Sequence, residues 1–270
     1  MLELYHTVNS VCAQKVRIEL AEKDLVWESH RMTLRGDQFD KAYLKLNPNG
    51  VVPTLIHDGK PIIESSVILF YLEECFPEVR LMPEDPMARA TVRLFNKLID
   101  EYVHNACTVL TFAIAFRSRF QEMDPVDLES YLLNSPNQKR SDHKRDVIVH
   151  GLDSKFCIEA VEHFIKLLQW IERATCEHPY LAGDEFSLAD IAVVPYVIRL
   201  DMLRLTPMWR AQPHVATWYE RVRTRPAVER VIVGSMTRAD RAPFEEISFD
   251  PWPDIGRLQE HSALRTSFDQ

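Results

Sequence analysis

The chain has no excess of positive charge. Its 270 residues carry 32 Lys and Arg against 40 Asp and Glu, a formal net charge of -8. Without a basic surplus there is nothing to neutralise a phosphate backbone, so nucleic acid is excluded as a partner. A local basic run, Lys139-Arg140-Ser141-Asp142-His143-Lys144-Arg145, is read as a solvated loop or helix start. No apolar run reaches the roughly 18 residues of a membrane span, so no membrane partner is expected. The opening Met1-Leu2-Glu3-Leu4 has neither the charged nor the apolar stretch of a secretory leader. Paired cysteines are lacking too: Cys12, Cys75, Cys107, Cys157 and Cys176 are scattered, odd in number and without a CxxC pair. That argues against a disulfide framework or a zinc site, so no metal is expected, and it fits a reducing cytoplasm. Nor is there an internal repeat.

What is present suits a soluble globular protein: 46% apolar and 27% charged residues, in a length that allows one large domain or two modest ones. Leu2 to His6 alternates and reads as a strand, and Cys12 to Lys23 as an amphipathic helix. Val26 to Met32 reads as a second strand, and Phe39 to Leu46 as helical up to the breakers Asn47-Pro48-Asn49-Gly50. Val52 to His57 and Lys60 to Ile63 flank Asp58-Gly59, a strong hairpin signal. A long apolar helix is expected from Ser65 to Phe76. The order βαβαββα is that of a thioredoxin-like domain, assigned to residues 1–80. A proline-bounded linker, 81–87, leads into an all-helical domain, 88–237, with helices near Met87–Arg117, Ile158–Cys176, Leu188–Leu203 and His214–Arg223. Ser187 and Asp190 form a capping box, with Phe186 stapled to Ile191. The polar stretch Gln121–Lys155 reads as an insertion with a short helix near Pro125–Leu133, and 238–270 as a surface extension or partly disordered tail.

The chemistry concentrates in the first domain. A cis bond between Val52 and Pro53 would turn the Val52 backbone outward, free to pair with a peptide-like ligand. Ser65 opens a helix, so its hydroxyl and amide suit a carboxylate, while Glu64 suits an ammonium group. The alternative for Ser65 is a plain helix cap. Ser10 lies between the first strand and first helix, where its hydroxyl can donate to a bound thiolate. A plain cap is the alternative there as well. Cys12, in the first turn of that helix, is a rival nucleophile, although a small buried core cysteine is the commoner outcome.

These residues resemble the cytosolic glutathione transferases. Leu4-Tyr5, the segment Ser10-Val11-Cys12-Ala13-Gln14-Lys15-Val16-Arg17, Asn47-Pro48, Val52-Pro53, Glu64-Ser65 and Ser187-Leu188-Ala189-Asp190 match in order and spacing. The resemblance implies that Ser10 stabilises the glutathione thiolate, as in the serine-type zeta, theta and tau classes. The omega class keeps a cysteine at that position. By the same resemblance Val52, beside Pro53, pairs with the cysteinyl amide, Glu64 and Ser65 hold the γ-glutamyl end, and Gln38 contacts the glycyl end. Gly50-Val51 departs from the Lys or Gln that several classes place before Val-Pro.

Asp85-Pro86, Asp100-Glu101-Tyr102 and the insertion after Phe116 are similar to the bacterial β-aryl etherases, although their serine does not align cleanly with Ser10. The ganglioside-induced differentiation-associated group shares Leu-Tyr-His, Gln-Lys-Val-Arg and Leu-Met-Pro, but its members carry a C-terminal membrane anchor.

The reading is a glutathione transferase acting on a small apolar, aromatic electrophile, with aryl-ether cleavage as the preferred subclass. Tyr102, Asn105, Thr108, Phe112 and Phe116 form the expected pocket wall, although a stripe at that spacing also suits plain core. Two alternatives stand beside it: a non-catalytic binding or regulatory protein with the transferase fold, and a glutathione-dependent reductase or isomerase. Family resemblance also implies a homodimer through the helices that begin at Ser65 and near Met87.

Overall fold

Alternating burial along β1 (Leu2–His6), with Leu2, Leu4 and His6 inward, fixes the position of the sheet. The computed structural model describes the backbone of residues 1–268 and the side chains of residues 1–260. α1 (Val11–Glu22) follows, then β2 (Trp27–Arg31), α2 (Lys41–Leu46), β3 (Thr54–His57), β4 (Lys60–Ile63) and α3 (Ser65–Cys75). The sheet order is β2-β1-β3-β4. β1 pairs parallel with β2, Leu4 opposite Ser29, and antiparallel with β3, Leu4 opposite Leu55. Val16, Leu20, Leu55, Ile68 and Leu72 close over Leu2 and Leu4 as one apolar cluster. The β3–β4 turn places Asp58 at φ 49 and Gly59 at φ 78, the pair of left-handed residues that a tight hairpin needs. The helical spacing expected from Phe39 begins only at Lys41, because residues Asp37–Phe39 form a separate 3₁₀ turn.

The helical half begins at Asp85, whose Oδ2 accepts from the Ala88 amide at 2.8 Å. One long helical run was expected to Arg117; the chain instead continues to Gln121 through two π turns. α4 (Pro86–Leu98) leads into the π turn Ile99–Val103, then α5 (His104–Thr111), the π turn Phe112–Phe116 and α6 (Arg117–Gln121). π turns rotate the side chains that follow them and are frequent at functional sites. The insertion holds α7 (Pro125–Leu133), as the sequence suggests, and also α8 (Gln138–His150), which absorbs the basic run.

Then come α9 (Cys157–Thr175), α10 (Leu188–Met202), α11 (Pro213–Arg223) and α12 (Pro226–Ile232). The last segment is not an irregular tail. It forms α13 (Arg238–Glu245) and α14 (Trp252–Phe268), burying Phe244 and Ile255. With Ile247 between them, these few apolar anchors dock a segment whose composition is mostly polar. The expectation for Asp269 and Gln270 lies outside the described residues.

α10 is the buried axis of this half, apolar almost all round. Its one buried carboxylate, Asp190, accepts from Trp218 Nε1 at 2.8 Å, Leu181 N at 3.1 Å and Ser187 N at 3.0 Å. Burial pushes that carboxyl up to about 6 against these donors. α1 packs on α3 in its own domain and on α10 and α12 in the other. Among the described residues no helix is long and apolar enough to cross a membrane.

Candidate functional site

The turn before β3 is clamped from below. Tyr43 Oη donates to the Val51 carbonyl at 2.6 Å and meets Thr54 Oγ1 at 2.9 Å. Asn47 Nδ2 donates to the same two oxygens at 2.8 Å and 3.1 Å. Asn47 is buried, so these bonds are worth keeping and costly to break. Within the clamp the Val52–Pro53 bond is cis. Val52 is buried, and Gln38 is buried behind the turn with its Oε1 accepting from Gly36 N at 3.0 Å. Gly50 sits at φ 59, and a Cβ there would lie 3.1 Å from Phe39 and 3.2 Å from Pro136 of the insertion. The insertion therefore closes against the turn that the sequence marks as unusual.

Glu64 is exposed at φ 68, a left-handed conformation uncommon outside glycine, and such strain clusters at binding sites. Its carboxylate accepts from Asn49 Nδ2 at 2.9 Å. Ser65 follows as the first residue of α3, at the positive end of the helix dipole.

The loop between β1 and α1 is fastened from three sides. Gln14 Nε2 donates to the Val8 carbonyl at 2.8 Å, Arg199 of α10 to the Asn9 carbonyl at 2.7 Å, and Asn9 Nδ2 to the Asp240 carbonyl at 2.9 Å. Ser10 is half-buried and caps α1, its Oγ accepting from Ala13 N at 3.3 Å. Accepting that bond leaves the hydroxyl proton free to be donated.

Cys12 is neither a plain core residue nor isolated. Its Sγ lies 3.4 Å from His104 Nδ1 and 3.5 Å from Tyr196 Oη. His104 Nε2 faces Arg140 Nη2 of α8 at 3.4 Å. Lys15, one helical turn on, donates to Ser66 Oγ at 3.0 Å and pairs with Asp100 at 3.4 Å. Burial opposes ionisation of Cys12, but His104, Lys15 and Tyr196 together bring the thiol down to about 6. Burial dominates at Cys107, against Arg199 and Thr111, and at Cys157, where Asp146 and Asp153 add to it; the two thiols are pushed up to about 11 and about 12. Sequence reasoning named Cys12 but missed its partners, which come from 92 and 184 positions away.

The expected pocket stripe divides. Tyr102 turns to α9, where its ring meets His163 at 5.1 Å and Lys166 at 5.2 Å. Asn105 is exposed and faces His143 at 3.3 Å. Phe112 and Phe116, on the second π turn, meet edge to face at 5.5 Å. They extend into an aromatic wall: Phe120 stacks on Phe112 at 5.2 Å, Tyr131 meets Phe120 at a tilt at 5.6 Å, and Phe244 packs on Phe116 at 5.7 Å. Phe39, beside Gln38, closes it against Tyr131 at 6.0 Å. Lys144 lies over Phe112 at 5.1 Å and Tyr131 at 5.3 Å. Burial, then Arg140, lowers that amine to about 8.

Comparison with known proteins agrees with this architecture. Residues 9–75 match the glutathione S-transferase N-terminal domain family, and residues 139–221 the corresponding C-terminal domain family. The protein LigF of Sphingobium sp. is 27% identical over 239 residues, spanning 85% of this chain and 92% of its own. Mouse maleylacetoacetate isomerase is 31% identical over 205 residues, 75% of this chain and 79% of that one. The crystal structure of the beta-etherase LigF from Sphingobium sp. strain SYK-6 superposes with a TM-score of 0.77 at 27% identity, covering 87% of this chain and 99% of that one. On the shared fold and the relatives' extent of match, the chain belongs to the glutathione S-transferase family, with glutathione as its co-substrate.

Proposed function

We propose that this protein activates the glutathione thiolate through Ser10 and directs it at an apolar, aromatic electrophile, with cleavage of an aryl ether as the preferred reaction. Ser10 carries the reading: its oxygen accepts from Ala13, its proton is uncommitted, and Gln14, Arg199 and Asn9 hold the loop around it. In this reading the Val52 backbone pairs with the cysteinyl unit and Gln38 lies toward the glycyl end. The γ-glutamyl carboxylate takes Ser65 and the α3 amides, and Glu64 takes the ammonium group. Ser10 donates to the sulfur, favouring its ionised form. The thiolate forms a carbon–sulfur bond as the carbon–oxygen bond to the aryl group breaks and a phenolate departs.

The aromatic wall from Phe39 to Phe244 supports an aromatic partner, since rings pack well edge to face and offset. So does the likeness to a protein described as a beta-etherase. Homodimerisation is part of the proposal: Val67 of α3 and Met87 and Leu94 of α4 are exposed apolar residues on the two helices that the family resemblance points to. Light scattering in solution checks it, and a monomer overturns it.

The test of the activity is incubation with glutathione and aryl ethers, following phenol release and the glutathione thioether by mass spectrometry. Stoichiometric appearance of both supports the reading. Glutathione binding without either product from any aromatic electrophile overturns the catalytic part. No binding at millimolar glutathione leaves the non-catalytic alternative.

A further inference from the structure

We propose that Cys12 is a second nucleophile beside Ser10, a thiolate that exchanges with mixed disulfides of glutathione. The cluster of Cys12, His104 and Tyr196, with Arg140 behind it, is built for a charged sulfur. Arg140 has only donors, so at 3.4 Å it requires His104 Nε2 to accept. That leaves Nδ1 to carry a proton, the atom 3.4 Å from Cys12 Sγ and 3.2 Å from Tyr196 Oη. Tyr196 is fully buried, and burial together with the adjacent sulfur holds its phenol well above the ordinary value. It therefore remains a donor. Two fixed donors, one from α5 and one from α10, converge on one sulfur.

Every charged group facing the sulfur is accounted for. Lys15 lies on α1 itself, and Asp100 on the first π turn holds it. Arg140 on α8 acts through His104, and Cys107 on α5 is neutral over the working range because burial raises it. The cluster also lies beside the proposed glutathione end. Lys15, one turn from Cys12, bonds Ser66, which directly follows Ser65. The inference rests on the proposed glutathione site to this extent, and on the sulfur's own surroundings for the rest.

The step balances. The Cys12 thiolate attacks the glutathionyl sulfur of a small mixed disulfide. That disulfide breaks, a Cys12–glutathione disulfide forms, and the other thiol leaves as its thiolate, taking a proton from water. A molecule of glutathione, as its thiolate, then attacks the glutathionyl sulfur, releasing Cys12 as thiolate and forming glutathione disulfide. Glutathione is the reductant, and the small thiol is the product. A thiol with pKa close to the ambient pH is the most effective attacker in such exchange.

Two measurements test this. The first is the pH dependence of iodoacetamide labelling of the half-buried Cys12, followed at the peptide level because Cys75 and Cys176 are exposed. This probe does not need the glutathione site. Labelling is expected to inflect near pH 6, and the inflection to move up by more than one unit in His104→Gln and less in Tyr196→Phe. An inflection in the ordinary thiol range of about 8.5 overturns the proposal. So does an unmoved inflection in His104→Gln or, if that variant fails to fold, in Tyr196→Phe. The second is incubation with glutathione disulfide. One glutathionyl group on the Cys12 peptide, reversed by glutathione and lost in Cys12→Ser, supports the exchange. A thiolate that takes no glutathionyl group while the protein binds glutathione overturns it. Failure of glutathione to bind, with the iodoacetamide inflection intact, instead removes the proposed glutathione site.

Discussion

The two walls of the proposed site are built by different rules. The wall from the thioredoxin-like half is local: Asn47, Val52, Pro53, Glu64 and Ser65 follow one another within a short stretch of chain, and their bonds are largely to backbone. The wall from the helical half is assembled from afar. His104, Arg140 and Tyr196 come from three helices and meet through hydrogen bonds, and Phe244 comes from a fourth to pack on Phe116. Backbone recognition suits a co-substrate that is always the same, whereas a packed wall of side chains can be revised one helix at a time. Specificity for the electrophile is therefore expected in the second wall.

The strongest way to break this contrast is at the axis of the packed half. Asp190→Ala strands the Trp218 indole and two buried amides. It should cost on the order of 4 kcal/mol, read as a lower urea midpoint. If the second wall depends on packing, aromatic substrate turnover should then fail at denaturant concentrations where glutathione still binds.

Ser10→Ala separates chemistry from structure in the first wall. Loss of a thiolate donor should lower kcat/KM roughly 100-fold, while loss of the cap costs only about 1 kcal/mol of stability. Lower stability with unchanged kcat/KM would make Ser10 a cap alone. Ser65→Ala should weaken glutathione about tenfold by calorimetry, a loss of about 1.4 kcal/mol, with little effect on the electrophile.

How far each wall was legible follows the same division. Pro53, Glu64 and the Asp58-Gly59 turn are set by local backbone demands, so spacing alone exposed them. Tyr102 and Asn105 follow from helical spacing, which does not reveal that they face His163 and His143. Nothing near Tyr196 in sequence marks its hydroxyl as a partner of Cys12. The basic run, read as a solvated loop or helix start, does open α8, but composition does not reveal that Lys144 lies over two rings. The helices α13 and α14 were hidden by a polar composition in which Phe244 and Ile255 do the docking.

Lys144 sharpens the contrast by pH. Its native pKa near 8 lies below the unfolded value of about 10.4, so between those values the unfolded chain holds a proton that the native amine has released. Stability should therefore rise with pH across that window, and Lys144→Met should flatten the rise in thermal scans. A lysine with an ordinary native pKa would leave the two proteins parallel.

The smallest effect is expected at Arg31→Ala. Its paired bonds to Asp240, at 2.6 and 2.7 Å, are partly exposed and worth about 0.5 kcal/mol. Their loss should loosen α13 without changing glutathione affinity.

Because α1 is packed on α3 from one side and on α10 and α12 from the other, neither half can unfold while leaving it intact. The helix behaves as a shared keel. Its amides should exchange hydrogen only on global opening, while those of α7 and α8 exchange through smaller local events. Ser10 and Cys12 ride on the part of the molecule that opens last, so in the proposed reactions the surrounding side chains can move around groups that do not.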